Sequence, residues 1–362
     1  MALSYKILSI AGIDIELHVT FLAFIVGLLV FNPKMALLLL IVFFFVTAHE
    51  LFHSFVAISK GIKVSKITLL PIGGMAVMNT ADIKPIAEIQ MSLAGPLFNF
   101  LMCYILLGVM SVVGLPLANA FDVIEKMEFS LPLIIYYSFY ANLLLGTFNL
   151  LLPAFPLDGG RIFRALLALR LDYLKATRVA RNVSLVIAAF MFMLAFLTSD
   201  LWLMIIAFFI GFGAVGEYQG LAMHESLRGM RVADVVSRDY IVVKPGDRVT
   251  SLLSDMMRFR DFSVVVSTKP LSVADARSVA ELPERSRLGA TFSDIAKKSP
   301  KFTVHSSVEK IVEFMNSSNV PLALVYDGSK VAGVVKRVDV ERVRQLRQAF
   351  GNGFKSGKIK GY

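Results

Sequence analysis

Six stretches of the chain are apolar over lengths approaching the roughly 20 residues that a helix needs to cross a bilayer's hydrocarbon core. They run over 17–32, 35–59, 87–114, 131–152, 182–198 and 201–219, the first and fifth being the shortest. Between the second and third, Lys66-Ile67-Thr68-Leu69-Leu70 and Met75-Ala76-Val77-Met78 flank Pro71-Ile72-Gly73-Gly74. That pattern predicts a hairpin or paired extended segment beside the second helix. After Met223 short β-branched runs alternate with amphipathic stretches, as in a soluble α/β module. The predicted fold class is an α-helical multi-pass membrane domain of six transmembrane helices with a short β-hairpin-like segment, followed by a soluble α/β domain. The first occupies 1–222 and the second 223–345. A tail over 346–362, rich in Gly and Lys from Gly351, reads as mobile.

The polar half repeats itself. Val232-Ala233-Asp234-Val235-Val236 aligns with Phe292-Ser293-Asp294-Ile295-Ala296, and Val249, Leu252 and Met256 align with Val308, Ile311 and Met315. Ala274-Asp275-Ala276-Arg277-Ser278-Val279 aligns with Val338-Asp339-Val340-Glu341-Arg342-Val343. A repeat of about sixty residues, with units at 230–283 and 290–345, resembles a tandem pair of cystathionine-β-synthase (CBS) domains. Gly333-Val334-Val335-Lys336-Arg337-Val338-Asp339 is similar to the nucleotide-binding segment of such domains, with Lys336 where Ser or Thr is usual. The first unit keeps Ser272-Val273-Ala274-Asp275, preceded by Lys269-Pro270 in place of the usual Gly and apolar residue. The resemblance implies an adenine nucleotide contacted by Asp275 and Asp339, or else a purely dimerising module that makes the chain a homodimer.

Composition agrees with the membrane reading: 56% of residues are hydrophobic and 18% charged, below the quarter expected of a soluble domain. Residues 1 to 220 hold about 13 Lys/Arg against about 12 Asp/Glu, so nearly all of the net charge of +10 resides in the polar half. A basic domain beside a bilayer is drawn to anionic headgroups, and no aromatic-basic interleaving points to nucleic acid. Cys103, the single cysteine, excludes an internal disulfide and a cysteine-based metal cluster. No cleavable signal peptide is evident before the first run. Lys60, Lys63 and Lys66 follow the second run and Arg161, Arg164, Arg170, Lys175, Arg178 and Arg181 the fourth, whereas the loops after the odd-numbered runs carry only Lys34 and Lys126. Positive charge therefore predicts a cell-membrane protein with both termini and the polar domain in the cytoplasm.

His49-Glu50-Leu51-Phe52-His53 ends the second apolar run. Two histidines four apart share one helix face, and Glu50 stands one position round from the first imidazole, in reach of a metal-bound water. Ionisable groups at that depth are costly unless they serve a metal, a partner or a water-filled cavity; the plainer alternative is a polar patch holding helices together. A catalytic zinc needs a third protein ligand and an open position. The best candidate is Asp158 in Pro153-Ala154-Phe155-Pro156-Leu157-Asp158-Gly159-Gly160, where prolines stop the fourth run. Asp158 would equally suit the cap of a helix beginning near Arg161.

These residues, with Pro71-Ile72-Gly73-Gly74 and Ala94-Gly95-Pro96-Leu97-Phe98-Asn99, resemble the site-2 protease family of intramembrane zinc metalloproteases, in its six-segment branch with a CBS pair. The resemblance implies one zinc per chain held by His49, His53 and Asp158, with Glu50 as catalytic base. It also implies substrates that are single-span membrane proteins, such as membrane-anchored transcription factors or anti-sigma factors. Family members place an Asn three residues before the first proline of the aspartate motif. Here that position is Leu150, and Asn149 lies about 100° round the helix from it. Asn149 and Asn99 are the candidates for positioning substrate, Asn99 equally for holding another helix. The hairpin is a candidate edge for an unwound substrate, or a structural loop. A CBS-gated transporter or channel would share this architecture, as would a silent membrane adaptor; neither requires the His-Glu-x-x-His pattern with a distant Asp-Gly.

Overall fold

The structure is a computed structural model that describes residues 4–78, 83–117, 130–252 and 263–350. The chain divides into two units, Met1–Ala222 and Met223–Tyr362.

The first unit begins with strands that the reading of the sequence did not foresee. Ser4–Ile10 (β1) and Ile13–His18 (β2) pair antiparallel through Ala11-Gly12, whose φ angles of 50° and 82° are those of a tight hairpin turn. The signal was the alternation Ile13, Ile15, Leu17 against Asp14, Glu16, which buries Ile13 and Ile15. The predicted hairpin forms as Val64–Leu70 (β3) and Gly73–Met78 (β4), and β2 pairs parallel with β3. The sheet order is β1-β2-β3-β4. Lys66 reaches across to Glu16 at 2.9 Å; the Ser4 hydroxyl and this ammonium hold the Glu16 carboxyl below its ordinary range.

Val19–Phe31 (α1) and Pro33–Ser59 (α2) follow β2. The Asn32 side chain separates them by accepting from the Met35 amide at 3.1 Å, with Pro33 at the first helical position. The ladder to β3 and this cap trim the first apolar run to 13 helical residues, or about 20 Å, short of a full crossing. The first predicted transmembrane helix is thus an apolar helix of sub-spanning length. With the six residues of β2, adding about 20 Å, it matches the 40 Å or so of the 27-residue α2. Packing follows that match. Phe21 meets Phe43, ring centroids 4.5 Å apart, while Ile13, Ile15, Ile67 and Leu69 pack with Leu51 and Ala57. The sheet therefore lies beside the half of α2 that carries His49 and His53.

Pro85–Val112 (α3), Leu131–Leu151 (α4), Asp158–Ala168 (α5), Tyr173–Thr198 (α6) and Leu201–Leu227 (α7) complete the series. Among the described residues, α2, α3, α4, α6 and α7 are long and apolar enough to cross a membrane. Phe44, Leu144, Phe196 and Trp202 are each two-thirds or more exposed on them, a surface that lipid solvates and water does not. Helix α6 starts nine residues before the predicted fifth run, because Ala176, Thr177, Ala180 and Ser184 bury a small-residue face within a polar-looking stretch.

Two of the arginines counted as loop charges are paired within the unit. Arg164 of α5 is buried, donates through Nε to Glu88 of α3 at 2.9 Å and through Nη2 to the same oxygen, and reaches Glu217 of α7 at 3.3 Å. Arg161 donates to Glu217 at 3.1 Å. Tyr173 donates to Glu88 at 2.9 Å, and the Arg164 guanidinium lies over the Phe155 and Tyr173 rings, about 5 Å from each centroid. Two cations balance two anions, so Arg161 and Arg164 leave the loop tally; Arg170, Lys175, Arg178 and Arg181 remain. Removing one member of such a buried pair strands the rest. Arg164→Met should cost about 3–5 kcal/mol and lower the midpoint of thermal unfolding in detergent, whereas Arg170→Met, in the exposed turn after α5, should leave it unchanged.

In the second unit the repeat is visible as topology. The strands are Val236–Ser237 (β5), Ile241–Val243 (β6), Ser263–Val266 (β7), Ser272–Asp275 (β8), Lys297–Lys298 (β9), Phe302–Thr303 (β10), Leu322–Asp327 (β11) and Lys330–Lys336 (β12). They form two sheets, β6-β7-β8-β9 and β10-β11-β12-β5, each one parallel pair followed by two antiparallel pairs. Each half thus lends its first strand to the other half's sheet. Gly333 permits the exchange, since a Cβ there would stand 2.5 Å from the Ser237 carbonyl oxygen. The aligned Asp234 and Asp294 accept from the amides of Arg231 and Thr291, so these matched acids cap helical turns. Val308–Ser317 (α8) and Arg337–Phe350 (α9) supply the longer helices. Helix α9 extends to Phe350, so residues 346–350 belong to it and not to a tail. Gly351 to Tyr362, together with Met256 of the repeat and Lys126, lie outside the described residues.

Candidate metal centre

His49 and His53 point from one face of α2 toward the first residue of α5. The Nε2 atoms of the two imidazoles are 2.9 Å apart, and one Asp158 carboxylate oxygen lies 3.1 Å from the first and 3.2 Å from the second. All three residues are buried. The far side of each ring decides its protonation. His49 Nδ1 is 2.5 Å from the amide oxygen of Asn99, and His53 Nδ1 is 2.6 Å from the Met91 carbonyl oxygen. Oxygen in both positions can only accept, so both Nδ1 atoms carry the proton. With both rings neutral, two Nε2 lone pairs and a carboxylate oxygen converge on one point, a cluster of acceptors suited to a cation. Two neutral imidazoles and a carboxylate are a zinc donor set with an open fourth position.

The surrounding backbone is shaped to that cluster. A Cβ built on Gly95 of α3 would lie 2.4 Å from His53 Nε2 and 2.6 Å from His49 Nε2, inside the space on which the donor atoms converge. On the other flank Gly74 of β4 touches Glu50: a Cβ there would meet Glu50 Cγ at 2.7 Å. Strand β4 pairs with β3 and, among the described residues, forms one edge of the sheet, so the carboxylate next to the metal ligands rests against an edge strand.

Asp158 is delivered by a short-range turn. Helix α4 stops at Leu151, the segment through Leu157 crosses to α5, and Leu157 occupies the N-cap without a side-chain cap bond. The alternative in which Asp158 merely caps a helix is not what the structure shows. Gly159 and Gly160 allow the close crossing, because a Cβ on either would come within 2.6 Å of the Leu150 to Phe155 backbone. The Phe155 amide donates to Ser184 Oγ at 2.9 Å, and Gly213 of α7 lies flat against Pro156.

The remaining candidates fall elsewhere. Asn99 is fully buried between α2 and α4 and spends its amide on His49 and on Asn142. Asn149 donates to the Leu145 carbonyl one turn back at 3.0 Å, and among the described residues no hydrogen bond joins it to the metal cluster. Asp275 closes β8, whereas Asp339 lies in the first turn of α9, three residues past the end of β12. Sequence reasoning missed Gly95 as the residue that leaves room for the donors, and missed Asn142. The latter had a signal: a lone amide inside the apolar 131–152 run.

Comparison with known proteins agrees with this chemistry. Residues 37–194 match the profile of peptidase family M50. A zinc metalloprotease of Methanocaldococcus jannaschii is 30% identical over 351 residues, 96% of this chain and 97% of that protein. Among solved structures, the site-2 protease from Methanocaldococcus jannaschii is 38% identical, covering 59% of this chain and 95% of that one with a TM-score of 0.46. The CBS domain of a bacterial CNNM/CorC-family Mg2+ transporter is 18% identical over 35% of this chain and 83% of that one, TM-score 0.29.

Alanine is a better helix former than glycine, so Gly95→Ala should leave α3 intact while its methyl group fills the centre. We expect that variant to fold and its zinc dissociation constant to rise by more than about 100-fold, beyond the usual cost of an outer-sphere loss. Chelator competition on the purified full chain measures this.

Proposed function

The chain belongs to peptidase family M50, the site-2 protease family of membrane zinc metalloproteases, and from that premise we propose that it cuts peptide bonds within or next to the transmembrane segments of single-span proteins. The observation that carries this reading is the convergence of His49, His53 and Asp158 beside Glu50 within an apolar helical unit. A CBS-gated transporter or channel gives way to the family assignment.

His49, His53 and Asp158 hold the metal, which when bound supplies Lewis acidity toward water and the scissile carbonyl. Glu50 takes a proton from the attacking water as its oxygen bonds to the carbonyl carbon. The same carboxyl then gives that proton to the leaving amine as the C–N bond breaks, so no covalent enzyme intermediate forms. A substrate helix hides its peptide bonds in its own hydrogen bonds and must unwind before attack. The free edge of β4, against which Glu50 rests, offers backbone partners to the unwound segment. The α1–α2 excursion leaves and returns to one sheet, since β2 and β3 are parallel neighbours. This supports placing the N-terminal hairpin with Lys60, Lys63 and Lys66 on the cytoplasmic side. We place both termini and the second unit there too, in a six-segment topology of which α1 is the first and shortest segment.

For the second unit we propose a CBS pair that binds an adenine nucleotide between the Asp275 and Asp339 junctions, or joins two chains, and so regulates cleavage. Strand exchange between its halves supports one pseudo-symmetric body.

Glu50→Gln keeps the size of the side chain and the metal ligands but removes the proton acceptor. Cells carrying only that variant should accumulate uncut single-span proteins, which purified wild-type protein then cleaves and the variant cleaves about 10²–10⁴-fold more slowly while binding zinc normally. Cleavage by the variant at the wild-type rate would exclude Glu50 as the base.

A further inference from the structure

One polar feature near the metal cluster is unused by the mechanism above: a file of buried amides running from His49 across to α4. His49 Nδ1 faces Asn99 Oδ1 at 2.5 Å, Asn99 Nδ2 faces Asn142 Oδ1 at 2.9 Å, and Asn142 Nδ2 faces the Ser138 carbonyl oxygen at 2.8 Å. Both asparagines are fully buried. The file has a direction that its far end imposes. A backbone carbonyl can only accept, so Asn142 must present its NH2 to Ser138 and its oxygen to Asn99. Asn99 must then present its NH2 to Asn142 and its oxygen to His49. His49 in turn must carry a proton on Nδ1, so that in the neutral ring Nε2 is the lone-pair nitrogen toward Asp158 and His53. Reversing any one amide would set two acceptors or two donors face to face in a buried site.

We propose that Asn99 and Asn142 are positioning residues that set the tautomer and ring orientation of His49, so that α4, which supplies no metal ligand, tunes the affinity of the centre. The inference rests on the metal-site reading above. His53 is fixed by a backbone carbonyl of α3, which no side-chain substitution can remove. His49 is therefore the ligand whose tautomer depends on side chains. Gly146, one turn beyond Asn142, keeps α4 close enough for the contact, since a Cβ there would stand 3.1 Å from Asn99 Cβ.

The test uses Asn142, which does not touch the metal ligands. Asn142→Leu keeps the volume and frees the Asn99 amide to turn its NH2 toward His49. Asn142→Asp restores the file, because a carboxyl kept neutral by burial donates its O–H to Ser138 and accepts from Asn99. On the full chain in detergent, chelator competition should show zinc held about tenfold more weakly by N142L and within about twofold of wild type by N142D. In protein labelled with ¹⁵N-histidine and stripped of zinc, the ring nitrogens of His49, assigned by their loss in His49→Gln, should report the proton on Nδ1 in wild type and N142D and a shift toward Nε2 in N142L. Wild-type zinc affinity in N142L, or losses in N142D equal to those in N142L, would overturn the proposal. So would a His49 Nδ1 that carries no proton in the stripped wild-type chain, a measurement that decides the matter even if N142L does not fold. A wild-type chain that binds no zinc would instead overturn the metal site itself.

Discussion

Two imidazole Nε2 atoms and a carboxylate oxygen lie within 3.2 Å of one another, and the first unit is arranged around the cation that such a cluster of acceptors calls for. Each helix near the site contributes something to it. Helix α2 carries the two histidines one turn apart, α3 brings a carbonyl, an amide and a glycine without a Cβ, and α5 opens with the carboxylate. In an apolar interior an unrelieved cluster of acceptors is expensive, so the site and its metal are parts of one folded unit. The buried Glu88 and Arg164, with the half-buried Glu217 and Arg161, balance their own charge a turn further along α5 and anchor the helix that presents Asp158.

Glycine decides how closely these parts approach. Gly95 leaves the space on which the donors converge, Gly74 lets the sheet edge touch Glu50, and Gly159 with Gly160 lets the start of α5 cross its own incoming chain. The length of β2 and α1 together, matched to α2, brings the sheet down beside His49 and His53 instead of leaving it outside the helices. A hydrolytic centre in an apolar unit needs a polar edge at its own depth, and a parallel β2–β3 ladder spanning an out-and-back helical excursion provides one.

Much of this was legible in the sequence because the strongest signals are periodic or local. The apolar runs yielded α2, α3, α4 and α7, the Pro-Ile-Gly-Gly turn yielded β3 and β4, and the sixty-residue repeat emerged as two sheets of identical order. His49, His53 and Asp158, 109 residues apart at their extremes, were named from chemistry and resemblance, and the fold brings them together. What was not legible depends on pairing between distant segments. The β1–β2 hairpin looked merely mixed because its alternation sits beside an apolar run. The first run lost its start to a ladder with β3, 52 residues on. The small-residue face of α6 hid among loop-like charges, and Arg161 and Arg164 counted as surface charges until Glu88 and Glu217 stood opposite them. Asn99 was noticed, but its partners on α2 and α4 cannot be read from its own neighbourhood.

The central claim is that this chain binds zinc through two imidazoles and one carboxylate. X-ray absorption at the zinc edge of the purified full-length protein tests it directly. His49, His53 and Asp158 should give a first shell of nitrogen and oxygen at about 2.0–2.1 Å, with outer scattering from two imidazole rings and no sulfur. A shell containing sulfur, scattering from fewer or more than two imidazoles, or protein that retains no zinc would contradict it.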